Sequence, residues 1–360
     1  MTIHVLPPSR TPEPMPCRVS LALQGGGSHG AFTWGVLDAL LEDPRLQVDG
    51  LSGASAGAVN AVAVAHGFAA TRHDLRAGAA QARDTLGRIW RGVSGLGSLG
   101  TMAQGFARML TGGWAGDGGA FGDAMARWMS PYQSNPLDFN PLRRLLDDEI
   151  DFAAIAKHAS PKVFVSATQV RTGRAEIFHD RRLTLQAVLA STCLPMVFQA
   201  VEIDGEHYWD GGYSSNPPLA PLIDQCDCRD IVLVQLNPLS RDHLPHNPQE
   251  IAERVSEIGF NASLLQQMRS IDFINRLLAR GALVEGEGYK SVRLHRIDGG
   301  PAMDKLSAAS KLSADPAMME QLFGEGRAAA QLWLARHFDA LGVESSIDIR
   351  RDYVGKQARA

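Results

Sequence analysis

The sequence predicts an α/β fold in which a mainly parallel sheet is covered by helices, and three observations carry that reading. A short apolar run, a glycine turn and an apolar segment of helical spacing follow one another over residues 19–42. The same order returns over residues 48–65. A continuous apolar run at 231–236 reads as a buried strand.

Taken in chain order, residues 1–16 hold Pro7, Pro8, Pro12, Pro14 and Pro16 without an apolar run, so they read as a flexible tail, neither a secretory signal nor an anchor. Residues 19–23 form a strand that stops at Gln24 and the run Gly25-Gly26-Gly27. Phe32, Val36, Leu37, Leu40 and Leu41 recur at helical spacing until Pro44 ends the helix. A second strand at 48–52 enters the turn 53–57, and the small residues of 58–65 suit a helix packed closely on the sheet. Residues 92–122 are rich in glycine yet apolar, and two readings stay open: a mobile lid or lipid-contacting loop, or a loosely packed helical insertion.

Strands are expected at 163–167 and 175–178 around a Thr172-Gly173 turn, then a helix at 183–191. Residues 202–209 form a hairpin on Asp204-Gly205 that delivers the chain to Asp210-Gly211-Gly212. A long helix is expected over 251–278, with Ile251, Val255, Ile258, Leu265, Met268, Ile271, Ile274 and Leu278 near one face, packed on the sheet or on a partner. A strand at 292–297 and a helical region at 318–341 complete the chain. One catalytic domain is expected over residues 17–240, with residues 241–360 packed on it.

Composition removes several function classes. Hydrophobic residues at 45% and charged residues at 21% are those of an ordinary globular chain. A net charge of −4 with scattered Lys and Arg offers no footprint for nucleic acid. Cys17, Cys193, Cys226 and Cys228 lack zinc-site spacing and read as free thiols of a reducing, cytoplasmic compartment. The apolar stretch 56–65 is too short to span a bilayer and contains Asn60, so membrane contact is expected to be peripheral. Homo-oligomerisation is compatible with the sequence.

Three glycine turns carry the chemistry. Gly25-x-Gly27-x-x-Gly30 after a strand and before a helix fits a dinucleotide cradle, and Asp49 stands near the spacing of a ribose-binding acid. That spacing supports an alternative function, an NAD(P)-binding oxidoreductase, although Asp49 precedes the apolar residues of its strand. Gly53-Ala54-Ser55-Ala56-Gly57 has another purpose: small neighbours let a serine take a sharp strand-to-helix turn with its hydroxyl exposed and the Ala56 N–H aimed into the site. Ser55 is the candidate nucleophile; its bland alternative is a helix N-cap. A serine needs a base. His243, His246, His295 and His337 follow Asp210 in triad order, but none sits in a small-residue turn. Asp210, beside Tyr208 and Trp209, does, and desolvation there keeps a carboxylate basic. Its bland alternative is an ordinary Asp-Gly turn.

Together Gly25-Gly26-Gly27-Ser28-His29-Gly30, Gly53-Ala54-Ser55-Ala56-Gly57 and Asp210-Gly211-Gly212 resemble the three signature blocks of patatin-like phospholipases, and the stretch 190–195 with Phe198 resembles that family too. The resemblance spans about residues 19–218. It implies a three-layer α/β/α fold, a dyad of Ser55 and Asp210, and an oxyanion hole from the backbone of Gly25, Gly26 and Gly27. Gly30, Gly53, Ala56, Gly57, Gly211 and Gly212 support the turns. It further implies hydrolysis of lipid acyl esters, phospholipid or neutral, without metal or cofactor. A lipid-binding protein with an occluded site is a further alternative. Many family members carry arginine where this chain has His29, a residue that titrates near neutrality and leaves charge-based head-group recognition at this position open.

Overall fold

A computed structural model describes residues 16–71, 74–96, 130–158, 160–241, 244–286, 288–300, 303, 306 and 308–355. Most of the 1–16 tail, residues 97–122 of the glycine-rich segment and His243 lie outside the described residues.

Eight strands form one sheet: β1 (Cys17–Leu23), β2 (Leu46–Ala54), β3 (Lys162–Gln169), β4 (Ala175–Phe178), β5 (Val201–Ile203), β6 (Glu206–Asp210), β7 (Asp230–Gln235) and β8 (Arg293–Asp298). Their order is β5-β6-β3-β2-β1-β7-β8, with β4 also paired to β3. The five strands from β3 to β8 in that order run parallel, whereas β4, β5 and β6 are antiparallel additions. The hairpin between β5 and β6 turns on Asp204 and Gly205, both at positive φ.

Side chains alternate across the strands into two cores. Val19, Leu21, Leu23, Val232 and Val234 enter one, while Ala22, Ile231, Leu233 and Phe164 enter the other. The first core is covered by α1 (Gly30–Glu42), α2 (Ala56–Ala70), α3 (Leu75–Gly95), α5 (Pro141–Glu149), α6 (Phe152–Lys157), α7 (Leu185–Ser191) and, later in the chain, the last long helix, while the short α4 (Pro131–Ser134) contributes no side chain to it. The second is covered by α8 (Ala220–Gln225) and α9 (Pro248–Ala279). The last helix, α10 (Pro316–His337), crosses α1 at Gly35 and Gly326, where an added Cβ would come 2.0 Å from Phe323 O and 2.1 Å from Phe32 O respectively. The result is the three-layer α/β/α arrangement.

Two helices differ from expectation. Gly92 and Gly95 belong to α3, an amphipathic helix capped by the Asp74 carboxylate and buried along Ala82, Leu86, Ile89 and Trp90. In α9, Met268 and Ile271 are buried, but Ile251, Val255 and Ile258 are exposed. The first half of that helix turns Glu257 and Asn261 inward instead, because Glu257 meets Arg241 and Arg254 there and Asn261 meets Gln24.

The register of β3 decides where the chemistry sits. Val165 and Ser166 pair with Gly53 and Ala54 of β2 on one edge and with β4 on the other. Ala167 pairs with β4 and with Asp210 of β6. A strand has two edges, so β6 takes over from β2 on the same edge. Ala54 and Asp210 thus face consecutive residues of β3, and Ser55 emerges where Asp210 arrives.

Candidate active site

Ser55 closes β2 at φ 53° and ψ −125°, a conformation that an L-residue adopts at a cost of roughly 1–3 kcal/mol. The surroundings hold it there. Its N–H donates to Ser191 Oγ at 2.9 Å, and its carbonyl accepts from the N–H groups of Ala58 and Val59 at 2.9 and 3.2 Å. The hydroxyl makes no capping hydrogen bond, so the N-cap reading of Ser55 does not describe its side chain. Gly57 is required by close approach: a Cβ there would lie 2.1 Å from Leu23 O.

The Gly25–Gly27 loop lies against this turn. A Cβ on Gly25 would meet Ala54 O at 2.6 Å and Ser55 Cβ at 2.9 Å. The Gly25 N–H, one of the three backbone groups expected at an oxyanion hole, donates to Asn216 Oδ1 at 2.6 Å. The N–H groups of Gly26, Gly27 and Ala56 donate to no described residue. Behind the loop lies a buried amide network that the sequence reading missed. Gln24 Oε1 accepts from the N–H groups of Leu236 and Asn237, both at 2.8 Å. Gln24 Nε2 donates to Asn261 Oδ1, and Asn237 Nδ2 donates to Gly25 O at 3.0 Å.

Asp210 is fully buried. Its Oδ1 accepts the Gly212 N–H at 2.7 Å, while Oδ2 accepts no hydrogen bond of normal geometry among the described residues. Burial pushes its carboxyl up to about 7, and the Gly212 N–H and the nearby Ser55 hydroxyl only partly offset this. Its backbone is fixed on three sides, by Ala167 across the strand, by Cys193 O, and by Thr168 Oγ1, which donates to Asp210 O at 2.7 Å. Gly211 is needed because a Cβ would fall 2.0 Å from Ser166 O.

Ser55 opens into a cavity of about 790 Å³ including its mouth. The wall is apolar, built from Trp90, Val93 and Leu96 with Leu142, Leu194 and Phe198. Ser28, Thr192 and Lys311 are its other polar residues. Trp90 is held by Asn60, whose Nδ2 donates to Gly30 O, tying α3 to the glycine loop.

The other candidates fall elsewhere. His29 is buried with Nε2 2.7 Å from Ser310 Oγ, and burial with the charges of Lys311 and Arg241 pushes it down to about 3. It is neutral at physiological pH rather than poised near neutrality. His295 meets Asp230, at the start of β7, and no histidine lines the Ser55 cavity among the described residues. Asp49 pairs with Arg18 and accepts the Cys228 N–H near the start of β2, the end of the sheet remote from the glycine loop. A ribose acid is not available there. All four cysteines are free thiols; burial pushes Cys193 up to about 12 and Cys226 and Cys228 up to about 11, which keeps those three protonated. Among the described residues no group of three or more His, Cys, Asp and Glu side chains is placed to hold a metal ion, and no helix is long and apolar enough to cross a membrane.

A strained serine on a strand-to-helix turn, backbone N–H groups without a partner among the described residues and a desolvated carboxylate are the groups that acyl-transfer chemistry uses. The chain belongs to the patatin-like phospholipase family, whose model matches residues 21–223. That family implies lipid acyl hydrolysis. The match runs from β1 to α8 and includes all three glycine turns. Among solved structures, VipD from Legionella pneumophila is similar at 14% identity with a TM-score of 0.42, over 94% of this chain and 73% of that one. None of the curated proteins compared matches the chain.

Proposed function

We propose that this protein hydrolyses the acyl ester bonds of lipids with Ser55 as nucleophile and Asp210 as general base. The observation that carries the reading is the shared edge of β3, which brings a strained, uncapped Ser55 hydroxyl to a buried carboxylate whose Oδ2 accepts no hydrogen bond of normal geometry among the described residues. A carboxyl displaced to about 7 is matched to proton transfer at neutral pH.

Asp210 Oδ2 takes the Ser55 hydroxyl proton as Oγ bonds to the ester carbonyl carbon. The carbonyl oxygen becomes an oxyanion, and the N–H groups of Gly26, Gly27 and Ala56 are the donors left to receive it; Gly25 shapes the loop through Asn216. Collapse breaks the ester C–O bond, and the proton held by Asp210 passes to the departing alcohol. Asp210 then removes a proton from water, which adds to the acyl-Ser55 carbonyl. The second collapse releases the fatty acid and returns the proton to Ser55 Oγ. The apolar wall from Trp90 to Phe198 suits an acyl chain and excludes water from it.

Ser55→Ala is expected to abolish turnover of an acyl ester, and labelling by a fluorophosphonate, with the thermal unfolding midpoint retained. Retained turnover in that variant would sink the mechanism. Labelling of the parent without turnover on any ester would favour a lipid-binding role.

A further inference from the structure

Among the described residues the cavity is lined by one charged side chain, Lys311, contributed by a segment beyond the family-matched residues. A 3₁₀ turn at Ala308–Leu312 lies directly on the glycine loop. Gly27, at φ 58°, has no room for a side chain because a Cβ would come 2.3 Å from Lys311 O. His29 Nε2 bonds the neighbouring Ser310 hydroxyl at 2.7 Å. The turn therefore grips the loop from both sides of Ser28.

The Lys311 ammonium donates to Asn237 Oδ1 at 2.5 Å, and Asn237 in turn donates its Nδ2 to Gly25 O. An ammonium carries three donors, and among the described residues the bond to Asn237 accounts for one of them. Glu257, a buried carboxylate whose charge acts on Lys311 together with that of Glu253, is already paired with Arg241 at 2.5 Å and Arg254 at 3.1 Å. The positive field of Lys311 reaches the loop, where it helps to keep His29 neutral. Burial has removed most of the water that would screen it, and the same burial, with Arg241, lowers the ammonium below the ordinary lysine value while Glu257 and Glu253 oppose that.

We infer that Lys311 is a positioning residue of the glycine loop, fixing Gly25 through Asn237 and, as its ammonium, setting a positive charge beside the N–H donors that receive the oxyanion. The inference rests on the acyl hydrolase reading above. Packing alone predicts something different: the four-carbon stem of Lys311 lines an apolar cavity, and a neutral side chain of similar length would serve equally.

The rate of phosphonylation of Ser55 by a fluorophosphonate separates the two, because the phosphonyl oxygen occupies the oxyanion position. Lys311→Met and Lys311→Gln are expected to be labelled about tenfold or more slowly than the parent. Lys311→Arg, which keeps the charge, is expected to label within about threefold of it, and all three to keep the parental unfolding midpoint. Lys311→Gln retains a donor for Asn237 and decides the matter if Lys311→Met does not fold. Labelling of the neutral variants within about twofold of the parent overturns the charge role, as does an equal loss in Lys311→Arg. A parent that is not labelled at Ser55 overturns the hydrolase reading itself and this inference with it.

Discussion

Two buried aspartates, Asp210 beside Ser55 and Asp230 at the start of β7, have nearly the same exposure and opposite fates. Asp230 accepts from Arg293 at 2.9 and 2.7 Å, from His295 at 3.1 Å and from the Gly342 N–H at 3.0 Å. Burial opposes its charge, yet these partners outweigh it and hold the carboxyl below its ordinary range. Asp210 has the Gly212 N–H and the Ser55 hydroxyl and, among the described residues, no cation. Burial opposes the charge of both carboxylates, and the supply of donors is what turns one of them into a structural anion. The end of the sheet that carries Asp230 is satisfied, and the end that carries Asp210 is left chemically open.

Exchanging each aspartate for its amide breaks the comparison most directly. Asp210→Asn keeps the shape and the Gly212 contact but removes the base, so kcat is expected to fall on the order of 10³-fold or more. Its unfolding midpoint should hold or rise, since a desolvated, poorly paired carboxyl is replaced by a neutral group. Asp230→Asn is expected to do the reverse. It strands Arg293 beside a neutral amide and should cost about 3 kcal/mol in urea denaturation, while kcat per folded molecule stays near the parental value. If both amides lost activity in proportion to stability, the distinction between the two ends would collapse.

Much of this was legible in the sequence because glycine turns are local statements. Gly53-Ala54-Ser55-Ala56-Gly57 announces its geometry through residue size alone, and the Asp204-Gly205 hairpin fixes how the chain reaches Asp210. What could not be read is which strand edges meet. Nothing local in β3 says that β2 and β6 share one edge, although that is what brings Ser55 to Asp210. The amides that hold the loop, Asn216, Asn237 and Asn261, come from three distant segments, and Lys311 from a fourth. For α3 the signal was present, since Leu86, Ile89 and Trp90 follow helical spacing behind an Asp74 cap, but the glycines at its end masked it. In α9 the apolar residues Ile251, Val255 and Ile258 misled, because Glu257 and Asn261 took the inward face.

The smallest expected effect is also the most diagnostic, because it follows the titration of single groups. Activity requires ionised Asp210, so kcat/KM should rise about tenfold per pH unit up to about 7 and then level. Stability carries the opposite sign. A carboxyl raised by burial contributes its stability below the ordinary carboxylate range and loses it as pH rises through about 7. His29, pushed down to about 3, works against this: its contribution is intact above the ordinary histidine value and is lost as pH falls toward about 3. Between about pH 4 and 6.5 the two slopes offset one another in the parent. Asp210→Asn removes one of them, so its stability should fall on acidification across that window more steeply than the parent's, in urea denaturation at matched ionic strength. Parallel pH profiles for the two proteins would mean that the Asp210 carboxyl ionises in the fold as it does in the unfolded chain, and with that the contrast with Asp230 would be lost.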